Sequence, residues 1–135
     1  CGFQVVKQSD LTNFSIIDIV TLGDKRINYK VRNNLLSNSS KDNQQKIKLE
    51  IETKKVKTIK EKNIKNEITK YQIMIIIEVE VTNITNNKKR IFIVSKSGDY
   101  STNTQYSQTL SNEKKLVELL SNNLSEEILN EISQK

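Results

Sequence analysis

The chain has 135 residues and a formal net charge of +6, with 35% hydrophobic, 28% charged and only 5% aromatic residues. This length and composition fit a single globular domain whose core is built from Ile, Leu and Val. The sequence contains no His, which excludes catalytic arrangements that need an imidazole and zinc or haem sites that use histidine. Its three glycines cannot form the Gly-rich loops that bind nucleotide phosphates.

The only cysteine stands at position 1, followed by Gly2 and Phe3. A first-position cysteine is typical of mature bacterial lipoproteins, in which signal peptidase II exposes it and both its sulfur and its amine are acylated. Such chains anchor a protein because each buried methylene contributes ~0.8 kcal/mol. We therefore expect lipid attachment at Cys1, a leader over residues 1–13 and one domain over 14–135. The alternative is that the chain is cut here by coincidence. A residue other than Asp at position 2 favours the outer membrane.

The first predicted elements are a strand and a helix. Residues 14–22 are rich in β-branched side chains and are followed by Gly23, which predicts a strand. Asp24 can then cap a helix over residues 25–36, in which hydrophobic residues recur at four-residue spacing. These residues are Ile27, Val31 and Leu35. Residues 37–45 are polar without periodicity and predict a loop.

The second predicted strand begins at Lys46, where hydrophobic and charged residues alternate. Its inward positions are Ile47, Leu49 and Ile51. The alternation slips at residues 54–56, which predicts a bulge or the end of the strand. Residues 57–67 are mostly charged and predict a hairpin tip or loop.

Two further strands and a long helix complete the prediction. Residues 68–81 alternate most clearly and predict the strongest strand, and residues 90–97 predict the fourth. A polar connector over 98–109 carries Tyr100 and Tyr106. Ser111 can then cap a helix with a broad apolar stripe. The stripe consists of Leu116, Val117, Leu119, Leu120, Leu124, Ile128, Leu129 and Ile132.

The order β-α-β-β-β-α predicts the fold class. It is typical of an α/β (α+β) two-layer sandwich in which two helices pack on one face of a mixed four-stranded sheet. The sequence shows neither an internal repeat nor a domain boundary within residues 14–135.

The positive charge is concentrated in one part of the sequence. Residues 1–45 carry +2, residues 46–70 carry +5, residues 71–110 carry +1 and residues 111–135 carry −2. We expect the lysines of the second segment to crowd one edge of the fold: Lys54, Lys55, Lys57, Lys60, Lys62 and Lys65. Such a patch suits a polyanion, although lysines that simply solvate an exposed loop are the simpler explanation. The segment lacks the interleaved aromatic residues of single-strand nucleic-acid binders, so an anionic lipid headgroup fits better.

No combination of residues indicates an enzyme, a metal site or a cofactor. Glu78 and Glu80 share a strand face, where charges on the solvated side of a sheet are the ordinary explanation, and no acid–base partner is implied. Lys96 lies between two serines, a combination too common to predict a Ser-Lys nucleophile. Binding is therefore a better prediction than catalysis.

Several segments together resemble the LptE family of lipopolysaccharide-assembly lipoproteins from the Gram-negative outer membrane. The resemblance rests on the Cys-Gly-Phe start, the Val-Arg-Asn-Asn-Leu helix at 31–35, the Tyr-Gln-Ile-Met-Ile strand at 71–75, and the closing strand, connector and leucine-striped helix. It covers nearly the whole chain in element order and implies a single LptE-like domain over 14–135.

The resemblance implies a non-enzymatic partner of the β-barrel protein LptD, lodged as a plug inside that barrel and assisting its assembly. It also implies lipopolysaccharide binding by basic residues around the hairpin between the second and third strands. The candidates in this chain are Lys60, Lys62 and Lys65, with Lys96 as a weaker one. Lysine can bind a phosphate as a point charge, without the bidentate geometry of arginine.

Two alternatives stay open from the sequence. One is a periplasmic lipoprotein that scaffolds another envelope machine, such as an accessory subunit of a transporter. The other is a basic nucleic-acid module in which Cys1 is an accident of truncation.

Overall fold

The computed structural model describes residues 15–37, 46–84 and 86–134. Its elements are β1 (Ser15–Gly23), α1 (Lys25–Ser37), β2 (Lys46–Lys62), β3 (Ile68–Asn83), β4 (Lys88–Ser101) and α2 (Tyr106–Gln134). The predicted order β-α-β-β-β-α is confirmed. The predicted leader with Cys1 and residues 38–45 of the loop predicted over 37–45 lie outside the described residues, and Ser37 is the last residue of α1.

The four strands form one mixed sheet in the order β1-β2-β3-β4. β1 pairs with β2 in parallel, whereas β2 with β3 and β3 with β4 pair antiparallel. Helix α1 packs on α2 and β1, and α2 packs on β4 and β3. The predicted two-layer sandwich, with both helices on one face of a mixed sheet, is confirmed.

The core lies between the helices and the sheet and is almost entirely aliphatic. Alternate residues of β3 supply its centre, where the side chains from Ile73 to Val79 on the helix-bearing face are fully buried. Burying one such side chain contributes roughly 1.5–3 kcal/mol. The members contributed by the other elements are Ile27, Val31, Leu35, Ile47, Leu49, Ile51, Val94, Tyr100, Leu120, Leu124, Ile128, Leu129 and Ile132.

The start of α1 is fastened to the sheet. The backbone N–H of Ile27 donates to Asp24 Oδ1 at 3.0 Å, so the predicted cap is confirmed. Gly23 has a φ of 94°, and a Cβ there would lie 2.0 Å from the backbone oxygen of Thr53, so only glycine fits. The buried Asn28 side chain donates to the Leu22 carbonyl at 3.0 Å and accepts the Thr53 hydroxyl at 2.6 Å.

The prediction for the end of the second strand was wrong. β2 continues through residues 54–58 in regular register with β3, and the irregularities lie between Ile59 and Lys62. The predicted loop over 57–67 is therefore strand as far as Lys62, and only residues 63–67 separate it from β3. The reason is that backbone pairing with β3 supports a strand whose side chains are exposed on both faces and carry no alternation.

Three predictions near the fourth strand also need correction. β4 is longer than predicted, so Tyr100 lies in the strand and in the core rather than in a connector. Helix α2 begins at Tyr106 rather than near Ser111. Asn103 orders that start, because its Oδ1 accepts the N–H of Gln105 at 3.0 Å. Leu119, predicted to widen the apolar stripe, is 56% exposed.

Candidate anion-binding hairpin

The positive charge occupies the part of the β2–β3 hairpin that extends beyond β1. The last β2 residue that pairs with β1 is Thr53. We call residues 54–70 the basic arm; it carries seven lysines and two glutamates, a net charge of +5 against +6 for the whole chain. The structure thus concentrates the excess charge at one end of the sheet.

Strand register divides the lysines of the basic arm between two faces. Lys55 and Lys57 lie on the helix-bearing face, where they approach the same carboxylate of Glu113 in α2 at 4.0 and 3.6 Å. Lys54 has the opposite orientation because successive strand residues alternate. The six lysines predicted to form one cluster at an edge are therefore divided between two faces. The two on the helix-bearing face, Lys55 and Lys57, already contact Glu113.

Lys57 also forms the charged part of an aromatic cluster. Its ammonium lies 4.5 Å from the ring centroid of Tyr71, which stacks on Tyr100 with centroids 5.5 Å apart. The Tyr100 hydroxyl and the Glu113 carboxylate raise the pKa of Lys57 against the opposing effect of burial. Burial raises the pKa of Tyr100, and the nearby Lys57 ammonium opposes part of that rise. This cluster is held mainly by interactions within the protein.

Three of the other five lysines of the basic arm occupy its distal end, beyond Lys54 and Lys70. Lys60 and Lys62 end β2, Lys65 lies in the turn, and all three are exposed. Among the described residues, none of their ammonium groups forms an ion pair within 4.0 Å. They form a group of three exposed lysines at the distal end that is available to an anionic ligand.

Lys96 lies apart from these three. It faces Ile75 across the β3–β4 ladder, and Ile75 faces Lys55, so Lys96 is level with the start of the basic arm. Its ammonium is 3.0 Å from Glu127 in α2. Five residues of strand separate Lys55 from Lys60, roughly 17 Å along β2. The structure therefore brings the three hairpin candidates to one end and leaves Lys96 at a distance from them.

The turn of the hairpin is ordered by a single asparagine. Asn63 Oδ1 accepts the backbone N–H groups of Lys65 at 2.9 Å and Glu67 at 3.0 Å, and its Nδ2 donates to Glu67 Oε1 at 2.9 Å. Asn66 takes the left-handed conformation with a φ of 68°. At the apex, the side chain of Ile64 is fully exposed. A polar sequence has thus folded into a defined turn that carries Ile64 and Lys65, next to Lys60 and Lys62 at the end of β2.

The sheet face that carries no helix holds two pairs of opposed glutamates. Glu50 faces Glu80 and Glu52 faces Glu78 in neighbouring rows of the β2–β3 ladder. Sequence reasoning found both strands but not the pairing of their glutamates, because register joins residues that are about thirty positions apart. Like charges in direct opposition repel each other, and they also repel an anionic ligand. Two pairs of opposed glutamates therefore lie on this face next to the basic arm, together with Lys48 and with Lys89, which pairs with Glu80 at 3.5 Å.

Three solved structures resemble this fold over most of the chain. The structure of a rare lipoprotein B from Shewanella oneidensis has a TM-score of 0.66 and 14% identity, and the match covers 87% of this chain and 94% of that one. A candidate lipoprotein from Caulobacter crescentus has a TM-score of 0.64 and 12% identity, with coverages of 94% and 92%. An uncharacterized lipoprotein B from Nitrosomonas europaea has a TM-score of 0.58 and 9% identity, with coverages of 86% and 81%. Rare lipoprotein B is LptE-like. This chain has the LptE-like fold. No protein-family model and no curated sequence matches it.

The resemblance to LptE is thereby confirmed at the level of the fold. Within the LptE-like domain, no described helix is long and apolar enough to cross a membrane. The described residues also contain no group of three or more acidic or cysteine side chains arranged to hold a metal ion. The most distinctive chemical feature of this LptE-like domain is its basic arm.

Proposed function

We propose that this chain is a non-enzymatic outer-membrane lipoprotein that plugs an LptD β-barrel and assists lipopolysaccharide assembly at the cell surface. Cys1 is its lipid attachment site, and acyl chains there hold it on the periplasmic side of the membrane. Lipopolysaccharide binds through its phosphates to Lys60, Lys62 and Lys65. The observation that carries the proposal is the +5 basic arm on a fold shared with rare lipoprotein B.

The dimensions of the domain support a role as a plug. β3 has 16 residues, which at ~3.3 Å each gives a length of roughly 50 Å. Helix α2 has 29 residues and is about 43 Å long at 1.5 Å per residue. A bilayer with its headgroups is about 40–45 Å thick. The domain is therefore long enough to reach from one end of a membrane barrel to the other.

The state of the hairpin lysines supports phosphate binding. Within the part of the chain that the structure describes, their exposed ammonium groups pair with no carboxylate within 4.0 Å, whereas Lys55, Lys57 and Lys96 are within 4.0 Å of glutamates. We therefore rank Lys96 below the three hairpin lysines. Because the ligand competes with salt at exposed sites, binding should weaken as ionic strength rises.

Co-expression with the cognate barrel protein tests the role as a plug. The chain carries an affinity tag at its C-terminus, and the two proteins are purified together and analysed by size-exclusion chromatography. We expect them to elute as one complex of defined stoichiometry. Separate elution of a folded chain and a folded barrel would refute the proposal, even if lipopolysaccharide binding were intact.

Lysine neutralisation tests the binding site. The variant Lys60→Gln/Lys62→Gln/Lys65→Gln is compared with a control that neutralises the exposed Lys25, Lys88 and Lys114, so that both have a net charge of +3 instead of +6. At about 1 kcal/mol per lysine near an anionic lipid surface, the first variant should bind lipopolysaccharide about a hundredfold more weakly at low salt. The control variant should lose much less affinity for lipopolysaccharide. Equal losses in both variants would assign the effect to net charge and reject the hairpin site.

A further inference from the structure

Ile64 combines full exposure with a fixed position. It stands at the apex of the β2–β3 turn, where the contacts of Asn63 order the backbone on both sides of it. Single hydrophobic residues are common on protein surfaces. This one differs because an ordered turn holds its backbone at the end of the arm, between Lys62 and Lys65 in the sequence.

The surroundings of Ile64 are amphipathic. Lys62 and Lys65 flank Ile64 in the sequence, and Ile59, five positions before it in the same arm, is 51% exposed. Exposed aliphatic side chains among lysines are typical of surfaces that lie in the headgroup layer of a membrane, where the aliphatic groups enter the acyl boundary and the ammonium groups meet lipid phosphates. The order of residues in the turn, with isoleucine at the apex and lysines on either side, matches that layering.

We propose that the hairpin tip inserts Ile64 into the acyl boundary of an anionic lipid layer while Lys60, Lys62 and Lys65 contact the headgroup phosphates. This inference rests on the proposed function of the same lysines and extends it from a phosphate site to a site for a lipid surface. The partner is a lipid layer rather than a soluble phosphate, since a free phosphate has no apolar part that could contact Ile64.

The chain itself offers a sensitive probe, because it contains no Trp. In Ile64→Trp the only indole lies at the apex, and its emission should shift to the blue when vesicles of phosphatidylcholine and phosphatidylglycerol in equal parts are added. Pure phosphatidylcholine vesicles and inorganic phosphate should leave the emission unchanged. A shift with inorganic phosphate alone, or no shift with anionic vesicles, would overturn insertion.

The turn between β3 and β4 supplies a matched control. Ile84 is exposed there and is also followed by basic residues, but Lys89 pairs with Glu80 at 3.5 Å and the Arg90 guanidinium donates to the Glu131 carbonyl. Ile84→Trp should therefore show no blue shift on anionic vesicles. An equal shift at both positions would indicate non-specific adsorption and reject a specific tip.

A second pair of variants separates this inference from the proposed function. Ile64→Ser removes no described contact, so its circular dichroism and melting temperature should match the parent chain. Its binding to anionic vesicles should fall about tenfold to a hundredfold, as expected when one isoleucine no longer leaves water. Ile84→Ser should bind as the parent chain does.

The outcomes of these variants are distinguishable. If Ile64→Ser binds vesicles normally and the triple lysine variant does not, insertion is wrong and the phosphate site stands. If Ile64→Ser loses vesicle binding and the lysine variant binds lipopolysaccharide normally, insertion stands and the lysine site falls. If Ile64→Ser retains vesicle binding but no longer co-purifies with the barrel, the tip contacts protein and the lipid proposal is refuted.

Discussion

The buried pair Asn28 and Thr53 allows a quantitative test of how α1 is joined to the sheet. The two residues are 5% and 2% exposed, and the Thr53 hydroxyl donates to Asn28 Oδ1 at 2.6 Å. Asn28 also donates to the Leu22 carbonyl at 3.0 Å. The substitution Asn28→Leu removes both hydrogen bonds and leaves the buried Thr53 hydroxyl and the part-buried Leu22 carbonyl without these partners.

The expected cost follows from those unpaired groups. A lost hydrogen bond costs about 1 kcal/mol net, and each buried group left unsatisfied adds about 1–3 kcal/mol. We therefore expect Asn28→Leu to lower the free energy of unfolding by about 3 kcal/mol and the melting temperature by about 10 °C. Thr53→Val leaves only Asn28 Oδ1 unpaired, which should cost about 1.5 kcal/mol.

A double-mutant cycle measured by urea unfolding tests the reasoning. In Asn28→Leu/Thr53→Val both partners are apolar, so the cost should be about 1–2 kcal/mol smaller than the sum of the two single costs. The control Asn33→Leu changes an exposed asparagine on the same helix and should stay within about 0.5 kcal/mol of the parent chain. Strict additivity, or an Asn28→Leu cost as small as that of the control, would show that the pair does not fasten α1.

Three further predictions concern other parts of the domain. Gly23→Ala should lower the free energy of unfolding by about 2 kcal/mol or more in denaturant titrations, because a Cβ would meet the Thr53 oxygen and φ is positive; a loss below ~0.5 kcal/mol would contradict this. Burial raises the pKa of Tyr100, so its contribution to stability is complete below pH ~10 and is lost as pH rises through the raised pKa. Ultraviolet titration should show one late tyrosine that is missing from Tyr100→Phe, and its persistence there would refute the assignment. The Lys30 ammonium, 2.5 Å from Glu118, holds the pKa of that carboxyl below its ordinary 4.5. In Lys30→Gln, NMR titration should show the pKa rising toward 4.5, while an unchanged value would exclude Lys30 as the cause.

The sequence predicted this fold best where one face of a strand is buried and the other is exposed. In β3 and in the first half of β2, alternating hydrophobic residues mark the side that packs on the helices, and the structure buries those residues. In residues 54–62 both faces are exposed, so the alternation disappears although the backbone ladder continues. The start of α2 was missed for a similar reason, because residues 106–110 follow a polar segment that is ordered by Asn103.

The candidate site was predictable in composition but not in geometry. Counting charges placed the +5 in the right segment, since net charge needs no three-dimensional information. Which lysines are free depends on register and on α2: Glu113 engages Lys55 and Lys57 from more than fifty residues away. The fixed position of Ile64 likewise depends on hydrogen bonds of Asn63, which a pattern of hydrophobic and polar residues does not reveal.

The two parts of β2 have different structural roles, and this difference makes the effects of the binding variants interpretable. Up to Thr53 the strand pairs on both edges and supplies core residues, so substitutions there act through stability. Beyond Thr53 it pairs only with β3 among the described residues, and all its side chains are exposed. Changes at Lys60, Lys62 or Ile64 therefore remove surface groups whose loss costs little folding free energy, typically within about 0.5 kcal/mol. A loss of ligand binding in such variants with an unchanged melting temperature reports on the surface itself, which is the condition for assigning a function to the basic arm.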